Sequence, residues 1–280
     1  MYELIRKCLE IYCIYNLNSM ITYEYQYGNY VVVKNNINME FIIILIQNLL
    51  GIFSVNSFIS NNVRDEKIKL SLKSLIFYML NEKLLHNYIP NTNWFLNEMM
   101  IKDYENHTMT CRDRYLYTLS LSYYILELWE HKNKKMKRKD DNQMLLHHVV
   151  TIILLLMSFK SNLFRIGLNV IYIFDINDIF LSISKLLTYN NVNEWITTST
   201  FGIFGVSWIY NRLYLFLIYV LRYLYQNMHS TPEYIGFTLL CIIYGLNVFW
   251  TNLIITAAYK MNKGNQMNEV DGEFERDYNE

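Results

Sequence analysis

The chain is 280 residues long, 52% hydrophobic, and sets 25 basic residues against 25 acidic ones. Zero net charge excludes a nucleic-acid-binding domain that works by bulk counterion displacement, and an aromatic share of 16% excludes a disordered chain. Nine glycines and two prolines are too few for a turn-rich sandwich or barrel, which leaves a helical protein.

The N-terminal stretch carries Glu3 and Glu10 and has no small-residue cleavage site, so it does not read as a cleaved signal peptide. A transmembrane helix needs about 20 mostly apolar residues, and seven blocks approach that: 41–59, 70–88, 115–129, 144–159, 166–187, 195–221 and 234–259. The second is broken by Asn81, Glu82 and Lys83, and the third is short, so these two are the weakest. The expected fold is an all-α polytopic integral membrane helical bundle with about seven transmembrane helices. The mean hydropathy of only +0.07 reflects the averaging of these blocks with Asn- and Lys-rich connections. The expected organisation is a segment 1–60 with the first span, a membrane domain 61–262 and an acidic, solvated tail 263–280. Four cysteines, Cys8, Cys13, Cys111 and Cys241, show neither CxxC spacing nor a disulfide framework.

Lys and Arg accumulate in short cytoplasmic loops. The run 131–141, HKNKKMKRKDD, holds Lys132, Lys134, Lys135, Lys137, Arg138 and Lys139. With seven spans it falls on the same side as Arg64, Lys67 and Lys69 and as Lys260 and Lys263. The loop 89–114, with the sequon Asn106-His107-Thr108, falls on the other, which glycosylation chemistry requires to be lumenal.

Ionisable side chains inside hydrocarbon are expensive and mark interior or functional positions. His147 and His148 open the fourth block; adjacent helical residues diverge by about 100°, so both can face one cavity but only one can point straight into it, the alternative being one interior and one interfacial histidine. Asp175 and Asp178 share a face of the fifth block with Ser182 and Lys185, as either an ion-pair seam or a site. Asn211 and Arg212 interrupt the sixth block, and Arg212 needs an anionic partner, for which the two aspartates qualify. Glu127 lies near the basic loop. The six histidines form no HxxxH or HxxHH set, so no metal site is expected.

The run 136–151, MKRKDDNQMLLHHVVT, resembles the signature of the ceramide synthases, the longevity-assurance branch of the TLC-domain membrane proteins. A basic K-R-K-D stretch is followed by a seven-residue step from Asp140 to the pair His147-His148, then V-x-T. YYILEL at 123–128, Arg165-Ile166-Gly167, Asp175-Ile176-Asn177-Asp178 with Lys185, and Asn211-Arg212-Leu213 continue the likeness in order, over roughly 115–259. Phe174, Ser182 and Asp141 stand where the family usually has histidine, glutamate and phenylalanine.

The resemblance implies N-acylation of a sphingoid base by a fatty acyl-CoA, with acyl-CoA as co-substrate and no bound cofactor. It implies catalytic roles for His147, His148, Asp175 and Asp178. A histidine would act as general base toward the amine or as acyl-carrying nucleophile. Lys137, Arg138, Lys139, Asp140, Arg165 and Arg212 are the implied substrate-binding residues, the basic ones at the mouth suiting CoA phosphates. Partners are the two substrates, membrane lipids and a possible homo- or hetero-oligomer, with no nucleic acid. The implied location is the endoplasmic reticulum membrane, multi-pass, with active-site mouth and C-terminus cytoplasmic. The alternative is a non-enzymatic TLC-domain protein, a translocation-associated factor or lipid-binding scaffold, motivated by Phe174 and Ser182.

Overall fold

A computed structural model describes residues 2–12, 32–33, 39–102, 104–133, 138 and 140–262. Lys137, Lys139 and the acidic stretch 263–280 lie outside the described residues. A short helix α1, Tyr2–Tyr12, precedes seven long ones: α2 Met39–Asn62, α3 Glu66–His86, α4 Cys111–Asn133, α5 Asp141–Lys160, α6 Phe164–Tyr189, α7 Glu194–Asn227 and α8 Thr231–Asn262. A two-residue strand β1, Val32–Val33, pairs antiparallel with β2, Met109–Thr110. Six of the seven apolar blocks lie wholly within these helices, which extend them by a few residues, and the second runs two residues past the end of α3.

Local chemistry sets the ends. The Asp65 carboxylate caps α3 by accepting from Lys67 N and Ile68 N at 2.9 and 3.0 Å, and Asn193 caps α7 through Trp195 N at 2.9 Å. Two helices stop in a left-handed residue that is asparagine where glycine is commoner. Asn162 at φ 62° ends α5, with Leu163 N donating to Ser158 O at 2.8 Å. Asn191 at φ 51° ends α6, with Val192 N donating to Leu187 O at 3.0 Å. This is how a chain with nine glycines still makes tight interhelical turns.

Among the described residues five helices are long and apolar enough to cross a membrane: Phe41–Asn62, Asp141–Lys160, Phe164–Tyr189, Glu194–Asn227 and Thr231–Met261. The chain is a multi-pass helical membrane protein. α3 and α4 fall below that apolarity, and α4 has a physical reason. Residues 113–124 are buried without interruption, so this helix faces protein on every side. Its polar groups are met by neighbours: Thr118 accepts from Asn48 at 3.2 Å, and Ser120 accepts from Asn81 at 3.4 Å. A helix enclosed by others needs no lipid-compatible surface, and interhelical hydrogen bonds hold it.

Successive helices alternate in direction, so the connections gather at two ends. At one end Asn162 donates to the carbonyls of Tyr104 and His107 at 2.6 and 2.8 Å, and the Tyr104 and Ser230 hydroxyls are 3.1 Å apart. The opposite end carries the turns at 63–65 and 190–193, Arg138 and Asp140, and the end of α8. Within α7 the stretch Ile209–Leu221 is π-helical. The wider turn brings the adjacent residues Asn211 and Arg212 together onto α6, where Asn211 donates to Asn177 at 3.2 Å and Arg212 reaches Asp178.

Candidate active site

A cavity of about 720 Å³ lies between the helices at the end that carries Arg138 and Asp140. His147 and His148 on α5, Asp178, Ser182 and Lys185 on α6, and Arg212 on α7 all line it. Arg138, Asp140 and Asp141 stand where the connection enters α5. Residues of α2 (Phe53, Asn56, Ser57 and Ser60) form part of the wall, so the cavity draws on helix ahead of residue 61.

Asp178 and Arg212 form the central ion pair. One guanidinium nitrogen reaches both carboxylate oxygens at 2.7 Å, and also donates to Phe174 O at 3.3 Å. The guanidinium carbon stands 4.5 Å from the Phe174 ring centre and 4.3 Å from that of Trp208. The planar cation is therefore held by charge and by two aromatic faces. Phe174 thus has a defined use as a platform under Arg212. Asp175, one helical turn away, is turned toward α3, where Asn81 donates to its Oδ2 at 2.7 Å. The two aspartates are divided: Asp178 faces the cavity, while Asp175 lies buried behind it.

Both histidines are buried, and both border the cavity. The pair thus shares one cavity, the arrangement the sequence left open beside one interior and one interfacial histidine. Tyr124 packs against both rings, its centroid 6.1 Å from each, and the two imidazoles are 5.7 Å apart. His131 adds a third imidazole, 6.1 Å from that of His148. The His147 ring meets Trp250 edge-on at 5.6 Å, and its Nδ1 is buried with no hydrogen-bond partner among the described residues. Among the described residues no group of three or more His, Cys, Asp or Glu side chains is placed to hold a metal ion.

Arg165 is not brought to this site. It sits at the opposite end of the bundle, where its guanidinium stacks on Trp94 and Phe164 at 5.7 and 5.9 Å and donates to Met99 O at 3.4 Å. Its motif partner Gly167 has a packing role, because a Cβ there would collide with the Tyr117 hydroxyl. The R-x-G element therefore secures α6 against α4 and the 87–110 connection. Arg138 lies 3.6 Å from Asp140, and Lys137 and Lys139 fall outside the described residues.

The sequence singles out neither Trp250, Trp208 nor His131 as site residues, and Tyr124 stands out only within the YYILEL motif. An aromatic residue in an apolar block carries no signal that separates a cavity wall from core. Asn81 was visible only as an interruption of the second block.

Fold and site together define a multi-pass membrane protein with a histidine-bearing cavity inside its helical bundle. The family model described as TLC domain matches residues 67–256, and the chain belongs to the TLC-domain family. It is 28% identical over 209 residues to sphingosine N-acyltransferase lag1 of Schizosaccharomyces pombe, covering 69% of this chain and 52% of that protein. It is 31% identical over 130 residues to ceramide synthase hyl-1 of Caenorhabditis elegans (40% of this chain, 35% of that protein). With ceramide synthase 4 of Homo sapiens it shares 31% over 181 residues, 62% of this chain and 45% of that one. The chain thus spans about half the length of the first of these relatives, and less of the other two. Their names agree with the resemblance carried by the 136–151 run.

Proposed function

We propose that this protein is a ceramide synthase, transferring an acyl group from a fatty acyl-CoA to the amine of a sphingoid base. The observation that carries the reading is the pair His147 and His148 in one cavity with Asp178 and Arg212, entered past Arg138 and Asp140. The names of the relatives support the same reaction. Two long apolar substrates need an enclosure within the membrane, and a helical bundle supplies one.

In the chemistry we assign, the amine nitrogen attacks the thioester carbon and gives its proton to a ring nitrogen of His147 or His148. The tetrahedral intermediate collapses, the C–S bond breaks, and CoA leaves as a thiol on taking that proton. In the covalent variant the imidazole nitrogen attacks first and releases CoA. The amine then takes the acyl group from the ring. Asp178, neutralised by Arg212, sets the charge next to these rings. Asp175, behind it, fixes α3 against α6 through Asn81. Lys137, Arg138 and Lys139 attract the CoA phosphates at a cytoplasmic mouth of an endoplasmic reticulum protein. We assign 61–262 as the catalytic segment, with one cavity wall supplied by α2, and 263–280 as a cytoplasmic tail.

The test is expression in membranes that lack endogenous ceramide synthase, supplied with sphinganine and a panel of acyl-CoAs, with the lipid product read by mass spectrometry. N-acyl sphinganine is the expected product, and its absence beside a working positive control overturns the reading. Co-purification with a secretory translocation complex, without lipid turnover, is the outcome that establishes the non-enzymatic alternative.

A further inference from the structure

The step of seven residues from Asp140 to His147 is bridged by one side chain on a different helix. Seven helical residues rise about 10 Å, two turns of one face. Trp250, on α8, covers that interval. Its indole Nε1 donates to Asp140 Oδ2 at 3.1 Å, while its ring meets the His147 ring at 5.6 Å and an interplanar angle of 84°. Trp250 is nearly buried and lines the cavity. On its other side it meets Trp208 edge-on at 6.5 Å, and Trp208 in turn covers Arg212. Trp208 is itself fixed by Nε1 donating to Thr251 at 3.0 Å. The indole is thus clamped between the N-terminus of α5 and the Arg212–Asp178 pair, with His147 against its ring.

We propose that Trp250 is a positioning residue for His147, and that Asp140 serves the reaction by holding Trp250 and not by touching substrate. This rests on the acyl-transfer reading above. A ring with rotational freedom about its side-chain bonds presents its reactive nitrogen in the right direction only part of the time. The indole edge removes part of that freedom, and the hydrogen bond to Asp140 keeps the indole there. Arg138, 3.6 Å from Asp140, ties the basic entrance to the same carboxylate. The spacing between the aspartate and the histidine is then the span of one tryptophan.

The experiment uses the full chain in membranes and compares wild type with Trp250→Phe, Asp140→Ala, Asp140→Asn and the double variant W250F/D140A. W250F keeps an aromatic ring against His147 and removes the N–H; D140A removes the acceptor and leaves the indole whole. Both break the same bond from opposite sides, so a folding defect in one does not mask the other. Each is expected to lower kcat between about 10- and 100-fold, the cost of a misplaced catalytic group, with KM for acyl-CoA little changed. The double variant should be no worse than the poorer single one, and D140N, which keeps an acceptor oxygen, should retain most of what D140A loses. Losses that multiply, or a D140A effect confined to KM, overturn the proposal. A second readout needs no turnover: the rate at which diethyl pyrocarbonate modifies His147, followed by peptide mass spectrometry. That rate should change by the same factor in W250F, D140A and the double variant. Equal rates in all of these proteins and wild type overturn the positioning role, whether or not ceramide forms. Shared changes in a wild type that makes no N-acyl product overturn the acyl-transfer reading alone.

Discussion

Arg212 is held from three directions, by the Asp178 carboxylate at 2.7 Å and by the Phe174 and Trp208 rings at 4.5 and 4.3 Å. Removing one member of a buried ion pair leaves the other uncompensated, at a cost of about 3–5 kcal/mol. Arg212→Ala is therefore expected to lower the melting temperature in detergent sharply and to abolish N-acylation. Arg212→Lys keeps the charge but loses the planar stacking, so it should melt closer to wild type and still lose most activity. A lysine variant with full activity would show that charge alone is needed. His147→Ala and His148→Ala should each lose most activity with little change in melting temperature, because the cavity beside both rings accommodates the loss. Full activity in both removes the histidines from the reaction. These residues were legible in the sequence because charge and imidazole are expensive inside apolar blocks. The division of labour between Asp175 and Asp178 was not legible. An i, i+3 pair shares a face, and only the position of Asn81 on a neighbouring helix turns one of them away from the cavity.

α4 and α6 explain what apolar content misses at the level of elements. α4 is buried through 113–124, so its Thr118, Ser120 and Ser122 bond to neighbours and its low hydropathy reports enclosure, not solvent. α6 approaches α4 closely at Gly167, where the Tyr117 hydroxyl already bonds the Ser158 hydroxyl at 2.6 Å. Gly167→Ala is expected to cost about 1–3 kcal/mol, the usual cost of forcing a methyl into a filled core. The melting temperature falls, while the specific activity of the folded fraction stays near wild type. Tyr117→Phe removes the atom nearest to the new methyl, so G167A/Y117F should recover part of the lost stability. A double variant that is simply additive would place the strain elsewhere. The same logic separates Arg165 from the site: at the far end of α6 from Lys185, Arg165→Ala should lower stability through its lost stacking on Trp94 and leave KM for acyl-CoA unchanged.

At the scale of the whole molecule, the alternation of seven helices decides which connections share a side, and it does so whether or not α3 and α4 are apolar enough to be recognised as spans. The seven blocks were readable because apolar runs near the membrane thickness stand out against Asn- and Lys-rich connections. Their arrangement around α4 was not, since nothing in a single sequence ranks which helix is central. The two-ended arrangement makes a direct prediction. Lys132, exposed at the end of α4, follows His131, which lines the cavity, whereas Glu105, also exposed, lies in the connection tied to Asn162. In sealed microsomes a membrane-impermeant maleimide should label Lys132→Cys at once and Glu105→Cys only after permeabilisation, each measured above the wild-type cysteine background. Labelling of both before permeabilisation would place an even number of crossings between residues 105 and 132. α4 would then not span, and the basic entrance and the sequon at Asn106 would share a compartment. The reversed pattern would keep α4 as a span and turn the cavity mouth to the lumen, away from the cytoplasmic supply of acyl-CoA on which the proposed reaction depends.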